Sequence, residues 1–206
     1  MGNLTLPPLY GLVLSGGESQ RMGQDKAGLL YAGRPQLARA FDLLAAHIDR
    51  CFVSLRQEQK DDPLRIVFPG IIDTLTSVGP AAGLLAAHAL YPKVAWVVLA
   101  CDLPLLEAGT LDTLIAARHE RYAAIAFQSE HDGLPEPLCT IWEPAALEML
   151  QNQRTTPGKI SLRNILTNHD TCLLPAAQFN ALENVNTPEE RASVLEKIAQ
   201  QNKDTA

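Results

Sequence analysis

The chain has 206 residues, of which 47% are hydrophobic and 19% charged, and its formal net charge is −6. This length and apolar content suit a single domain over residues 1–206, and the acidic balance argues against nucleic acid bound through a broad basic surface. No apolar run is long enough to span a membrane, and the N-terminus lacks the pattern of a signal peptide, so we expect a cytoplasmic protein.

The first predicted element is a buried strand at Leu9–Leu14, an apolar run too short for most helices. A glycine-rich stretch over residues 15–26 follows it, with Arg21 inside the stretch and Asp25-Lys26 at its end. Glycines let backbone N–H groups approach a ligand, and cations neutralise charge, which is what anionic phosphates need. The stretch fits neither G-x-x-x-x-G-K-[ST] nor G-x-G-x-x-G, so an ordinary P-loop or dinucleotide site is not expected.

Helices and strands then alternate along the chain. Periodicity and helix start signals predict helices at residues 36–48, 79–90, 110–120, 144–151, 160–166 and 188–198. Strands are predicted at Cys51–Leu55, residues 64–68, 94–100, 123–127 and 137–142, and Thr171–Leu174. This alternation predicts an α/β fold with one mostly parallel, twisted sheet between two helical layers, that is, a three-layer αβα domain.

Smaller signals refine this picture. Thr187, Pro188 and Glu190 have the spacing of a capping box at the start of the last helix. The four cysteines form no C-x-x-C pair, and three of them lie in apolar runs, which favours buried, reduced thiols. The five histidines are scattered and share no ligand spacing with the cysteines, so a zinc site is not expected.

Two candidate ligand segments follow predicted strands. They are the glycine-rich stretch and residues 101–104, and ligands of parallel sheets bind beyond the carboxyl ends of the strands. Asp102 follows the most hydrophobic strand, where a carboxylate suits a hard cation such as Mg²⁺. The residues alone leave a second interpretation open, in which Asp102 only caps the turn through Leu103-Pro104.

The opening stretch matches the nucleotidyltransferase pattern L-x-G-G-x-S-x-R-M-G-x-D-K from Leu14 to Lys26. G-P-x-x-G at 79–83, C-D-x-P at 101–104 and N-x-N-T-P-E at 184–189 follow in order. With these motifs the chain resembles the molybdenum cofactor guanylyltransferase family over nearly its full length. The wider sugar-nucleotide pyrophosphorylase superfamily shares the architecture, so the resemblance implies a Rossmann-like nucleotidyltransferase fold.

The resemblance implies transfer of GMP from Mg²⁺-bound GTP to molybdenum-molybdopterin with release of pyrophosphate. The catalytic residues would be Arg21, Lys26 and Asp102, and the metal ligands Asp102 and Asn186. The N-terminal half would bind the nucleotide through Leu14, Ser15, Gly16, Gly17, Lys26, Ser54, Asp73, Gly79, Gly83 and Asp102. The C-terminal half would bind the acceptor through Lys159, Arg163 and Asn184. Transient contact with proteins that deliver the cofactor or mature molybdoenzymes is also implied.

The chain departs from the family pattern on the nucleotide side. An asparagine expected after the second strand is replaced within Val53-Ser54-Leu55-Arg56, so Ser54 or Arg56 would have to substitute for it. Asp73 is one residue out of the expected spacing. Gly83 could serve only close helix–sheet packing, and Lys159 and Arg163 could be solvated helix charges. These departures leave the guanine preference open.

Two other functions stay open at this point. One is a cytidylyltransferase of the same cofactor or another small-acceptor nucleotidyltransferase, although L-A-A-G and a P-K pair are usual there and Gly16-Gly17 and Asp25-Lys26 stand here. The other is a regulatory protein that binds nucleotide without turnover, against which Lys26, Asp102 and Asn186 argue.

Overall fold

A computed structural model of the protein describes residues 5–15, 25–75, 79–153, 160–175 and 180–204. Its centre is a seven-stranded sheet in the order β5-β4-β1-β6-β8-β7-β9. The strands are β1 (Leu9–Leu14), β4 (Cys51–Leu55), β5 (Gly70–Ile72), β6 (Ala95–Ala100), β7 (Ala124–Gln128), β8 (Pro135–Trp142) and β9 (Thr171–Leu174). A separate antiparallel pair joins β2 (Leu30–Tyr31) to β3 (Arg34–Pro35).

The sheet is mostly parallel, as the sequence predicts. The β5-β4-β1-β6 half is parallel throughout, and β7 pairs with β9 in parallel. β8 runs antiparallel to both of its neighbours, β6 and β7. The carboxyl ends of four adjacent strands therefore meet along one edge, and this edge carries the candidate site.

Helices cover both faces of the sheet. The α-helices of the described residues are α1 (Gln36–Ala45), α2 (Ala81–Leu90), α3 (Ala108–Ala116), α4 (Pro144–Gln153), α5 (Leu162–Asn168) and α6 (Pro188–Asp204). Residues of α1 and α3 share one apolar cluster with one face of the sheet, whereas residues of α2, α4 and α5 share a second cluster with the other face. The predicted three-layer αβα arrangement is thus confirmed.

Strand β6 shows why its sequence carries no alternation of polar and apolar residues. All six of its residues are buried. Val97 and Leu99 enter the first cluster, and Trp96 and Val98 enter the second. A central strand that is covered on both faces needs an apolar side chain at every position.

The last helix is attached by a smaller apolar cluster. Val194 and Ile198 of α6 share it with Tyr31 of β2, Leu105 and Val185. The predicted capping box is present, because Thr187 Oγ1 accepts from the backbone N–H of Glu190 at 3.2 Å and Glu190 Oε2 accepts from that of Thr187 at 3.1 Å. The helix runs to Asp204, beyond the predicted end at residue 198.

The strand predicted at residues 64–68 is wrong, since this segment forms hydrogen-bonded turns and the strand lies at Gly70–Ile72. Asp62 explains the difference. Its side chain accepts from the N–H of Leu64 at 2.8 Å, and its carbonyl accepts from the N–H groups of Arg65 and Ile66 at 2.9 Å each. These local bonds satisfy the backbone that a strand ladder would otherwise pair.

All four cysteines are free thiols, and Cys51, Cys101 and Cys139 are buried, which confirms the prediction made for them. Across the described ranges, no helix combines the length and the apolar character needed to cross a membrane.

Candidate active site

Lys26, Asp102 and Asn186 meet at one point although they lie far apart in sequence. The ammonium Nζ of Lys26 donates to Asp102 Oδ2 at 3.0 Å and to Asn186 Oδ1 at 2.6 Å. All three side chains are partly buried, so solvent screens these contacts less than it would on an open surface. The structure therefore brings together three of the residues that the motifs selected.

Each of the three side chains comes from a different element. Asp25 caps the short three-ten helix Lys26–Gly28 by accepting from the N–H of Ala27 at 3.1 Å. Asp102 lies two residues after the end of β6, and its backbone carbonyl accepts from the N–H of Val185 at 3.2 Å. That bond anchors the segment that carries Asn186 to the segment that carries Asp102.

The capping box of α6 also fixes Asn186. Besides bonding to Thr187, Glu190 Oε2 accepts from the backbone N–H of Asn186 at 2.6 Å. One carboxylate oxygen thus holds two successive amides where the chain enters the helix. The Asn-containing motif and the helix cap therefore act together.

Three of the predicted nucleotide-side residues, Ser15, Ser54 and Asp73, lie at the ends of β1, β4 and β5. Ser15 Oγ donates to the carbonyl of Ser54 at 2.9 Å, and Ser54 Oγ donates to Asp73 Oδ1 at 2.7 Å. Asp73 follows β5 and is partly buried. Burial raises the pKa of its carboxyl to about 6, and the Ser54 hydrogen bond and the charge of Arg56 only partly oppose that rise. These residues line the same edge of the sheet as Asp102.

Gly83 permits the close approach of α2 to these strand ends. A Cβ at this position would lie 2.8 Å from Leu14 Cδ2, and it would overlap Ser54 Oγ still more severely. Gly79, just before the helix, has φ +59°, a conformation that glycine adopts far more readily than other residues. Both glycines of the G-P-x-x-G motif therefore have structural reasons to be glycine, and any contact with a nucleotide would come in addition.

Arg163 is paired with carboxylates in this structure. Its guanidinium lies 2.8 Å from Asp132 Oδ2 and 3.9 Å from Glu136 Oε2. Asn184 has a buried side-chain oxygen with no hydrogen-bond partner in the described part of the chain. Gly16, Gly17, Arg21 and Lys159 lie outside the described residues. The acceptor-binding roles of Lys159, Arg163 and Asn184 stay predictions.

Two functional candidates were missed by the sequence reasoning. One is Arg65, whose side chain is fully buried against Ser15 and Asp25. The other is Glu136, which the β6–β8 register places opposite Asp102 if the ladder is continued. Burial raises the pKa of Glu136, and the negative charge of Asp102 adds to the rise. An arginine inside an apolar run was the available signal for Arg65, whereas Glu136 offered none.

The side-chain oxygens of Asp102 and Asn186 could hold a metal ion. Among the described residues there is no group of three or more His, Cys, Asp or Glu side chains able to do so. The oxygens of Asp102 and Asn186 nevertheless converge on one cation, the ammonium of Lys26. A carboxylate and an amide oxygen suit Mg²⁺, which keeps several waters and binds through few protein ligands.

Comparison with known proteins identifies the family. The sequence matches the model of the MobA-like NTP transferase domain over residues 11–172. The chain belongs to this family. The resemblance drawn from the motifs is therefore confirmed, and the protein is a member of a nucleotidyltransferase family.

Curated relatives of this MobA-like chain carry related names. A molybdenum cofactor biosynthesis bifunctional protein of Synechocystis sp. is 35% identical over 188 residues, which are 91% of this chain but only 54% of that protein. A molybdenum cofactor guanylyltransferase of Rhizobium meliloti is 32% identical over 90% of this chain and 89% of its own length.

Solved structures share the fold of this MobA-like domain. The crystal structure of molybdopterin-guanine dinucleotide biosynthesis protein A from Archaeoglobus fulgidus superposes with a TM-score of 0.74 at 21% identity, covering 93% of this chain and 99% of that one. A nucleotidyl transferase from Methanothermobacter thermautotroptrophicus superposes with a TM-score of 0.76 at 14% identity, covering 97% and 100%. The predicted Rossmann-like nucleotidyltransferase fold is thus confirmed.

Proposed function

We propose that the protein is a molybdenum cofactor guanylyltransferase, which transfers GMP from GTP to molybdenum-molybdopterin and releases pyrophosphate. The observation that carries the proposal is the convergence of Lys26, Asp102 and Asn186 at the carboxyl edge of the sheet. The names of its relatives, including the Rhizobium meliloti guanylyltransferase, support the same activity. The N-terminal half would hold the nucleotide and the C-terminal half the acceptor.

Asp102 and Asn186 would hold Mg²⁺ through their side-chain oxygens. When bound, the ion would polarise phosphate oxygens and offset their negative charge. Lys26 contacts both of these side chains, which supports a role in which its ammonium would neutralise charge on the triphosphate. Arg21, in the same motif, would add a second cation.

The reaction itself asks the protein mainly for positioning and charge neutralisation. A phosphate oxygen of the acceptor attacks the α-phosphorus of GTP in line. The new oxygen–phosphorus bond forms while the bond to the bridging oxygen of the β-phosphate breaks, and pyrophosphate leaves with that electron pair. Because the attacking phosphate is already ionised, no side chain has to act as general base.

Asp73 would favour guanine on the nucleotide side. Guanine presents an N–H and an amino group side by side, and an ionised carboxylate can accept from both. Cytosine offers one amino donor on the corresponding edge, so it would bind this carboxylate less well. Ser54, which stands where the family usually has an asparagine, donates to Asp73 and so holds one carboxylate oxygen in place.

The acceptor side and the cellular setting complete the proposal. Lys159, Arg163 and Asn184 would hold the phosphorylated pterin, Arg163 by exchanging its present carboxylate partners for the phosphate. The four free thiols suit a reducing compartment such as the cytoplasm. There the protein would receive its acceptor from, and pass its product to, other proteins by transient contact.

The test is pyrophosphate release from GTP, CTP, ATP and UTP, each with Mg²⁺ and with or without molybdenum-molybdopterin. We expect release from GTP alone, and only when the pterin is present. Release from CTP instead would identify a cytidylyltransferase, in which the changed Ser54–Arg56 region selects the base. Binding of nucleotide without release from any of the four would contradict the proposal and favour a regulatory protein.

A further inference from the structure

Arg65 is a buried cation that no motif of the chain includes. Its side chain has no solvent exposure, and its guanidinium contacts Ser15, Asp25 and Asp62. A charge buried this completely is tolerated only when its hydrogen bonds and its countercharge are supplied. The two carboxylates and the serine supply them here, and the two carboxylates raise the pKa of Arg65 although its burial opposes this.

The guanidinium joins two points that lie on either side of the glycine-rich motif in the sequence. Nη2 donates to the carbonyl oxygen of Ser15 at 3.2 Å and to Asp25 Oδ1 at 3.0 Å, and Nη1 lies 2.6 Å from Asp25 Oδ2. Nε donates to Ser15 Oγ at 3.3 Å. The end of β1 and the start of the Lys26 turn are therefore fixed to a single planar group.

Asp25 connects Arg65 to Lys26. The carboxylate that binds the Arg65 guanidinium also caps the three-ten helix whose first residue is Lys26. Burial would raise the pKa of Asp25, but hydrogen bonds from Arg65 and from the N–H of Ala27 outweigh burial and lower it. Asp25 is therefore held ionised, with one oxygen shared between the guanidinium and the helix cap.

We propose that Arg65 is a positioning residue for Lys26, acting through Asp25, in the transfer reaction proposed above. It touches neither Asp102 nor Asn186 itself. Its effect is to fix the position of the Lys26 backbone, and hence where Nζ lies relative to Asp102 and Asn186. The geometry calls for arginine, because a lysine has one nitrogen and cannot bind Ser15 and both oxygens of Asp25 together.

The kinetic test replaces Arg65 by lysine, which keeps the positive charge but removes the planar guanidinium and its several N–H donors. We expect R65K to lower kcat/KM for GTP by about 100-fold, the scale of effect that a displacement of about 1 Å has in other enzymes.

R118K is the matched control, because the side chain of Arg118 is also largely buried and binds Glu143 at 2.6 and 3.0 Å. Arg118 also donates to the carbonyl of Pro7, before β1 begins, so it lies at the other end of that strand from Ser15. We expect R118K to lose stability but to keep kcat/KM near the wild-type value.

A double-mutant cycle separates positioning from general loss of structure. If Arg65 acts through Lys26, R65K should have little further effect on kcat/KM for GTP in a K26M background, since the group it positions is gone. The same fold-reduction in both backgrounds would overturn the proposal. D25N serves as a second variant should R65K fold poorly. It keeps the arginine but removes the charge of its partner at position 25, and D25N should likewise have little further effect in the K26M background.

A crystallographic readout needs no substrate. In R65K we expect Lys26 Nζ to lose hydrogen-bond contact with Asp102 or Asn186, whereas in R118K both contacts should remain. Unchanged contacts in R65K would overturn the proposal. If the wild-type protein transferred no nucleotide, the proposed function would fail, and these structures would still decide the role of Arg65.

Discussion

At the scale of single residues, the chemistry depends on side chains that are only partly withdrawn from water. Lys26, Asp102 and Asn186 are close enough to bond, yet they remain accessible enough to exchange partners when a ligand arrives. Asp73 is the ionisable residue of the neighbouring hydrogen-bonded set, which also contains Ser15 and Ser54. Its raised pKa brings the ionisation of its carboxyl into an experimentally convenient pH range.

Asp73 should make folding stability depend on pH. Its pKa is about 6 in the folded protein against an ordinary value of 3.8, so the folded state binds the proton more tightly than the unfolded chain. The stability that it contributes is therefore fully present below pH 3.8 and is lost as the pH rises through about 6. In thermal melts across this range, the Tm of the wild type should fall relative to that of D73N, which cannot titrate at this position. Parallel Tm curves for the two proteins would contradict the assignment.

At the scale of elements, the site depends on how closely α2 approaches the ends of β1 and β4. Gly83 is the point of closest contact, and a methyl group there would overlap Leu14 and Ser54. Neither neighbour can withdraw easily, because Ser54 is hydrogen-bonded to Asp73 and Leu14 belongs to the central sheet. The helix and the strands must therefore separate if the glycine is replaced.

We expect G83A to lower the free energy of unfolding by about 1–3 kcal/mol, as overpacking of a close-fitted contact usually does. It should also weaken GTP binding, because it displaces Ser54. G28A is the matched control for stability, since a Cβ at Gly28 would meet its nearest neighbour, Leu64 Cδ2, at an ordinary 3.7 Å. Urea unfolding measures both variants, and equal stability of the two would contradict this account of the contact.

Local sequence patterns predicted the elements well where one interaction dominates. β1, β4 and β9 begin and end as predicted, because each is a short, mainly apolar run bounded by polar residues or prolines. The strand prediction for residues 64–68 failed. This run is also mainly apolar, but hydrogen bonds to Asp62 hold its backbone in turns. Hydrophobicity reports burial, and it does not report which partner satisfies the backbone.

Local sequence patterns likewise predicted only some residues of the candidate site. Motifs located Lys26, Asp102 and Asn186, because each lies in a recognisable segment of its own. They could not locate Arg65, whose partner Asp25 is 40 residues away in the sequence. They also could not locate Glu136, which lies near Asp102 only because β8 returns antiparallel beside β6. Such pairings arise from topology and leave no local signature.

At the scale of the whole molecule, the sheet joins the two halves of the chain. β6, from the first half, pairs with β1 on one side and with β8, from the second half, on the other. Asp102 follows β6, and Asn186 arrives just before the last helix. The central claim is that transfer occurs where these two halves meet, at the contact point of Lys26, Asp102 and Asn186.

The most direct measurement is single-turnover transfer from GTP to molybdenum-molybdopterin by D102N, with GTP binding measured in parallel. D42N is the matched control, because Asp42 is an exposed carboxylate in an ion pair with Arg34. We expect D102N to retain part of its GTP binding while transfer slows by about a thousandfold, the upper range for loss of one electrostatic group at a reacting centre. D42N should transfer at the wild-type rate. Transfer by D102N at a rate close to that of D42N would contradict the account.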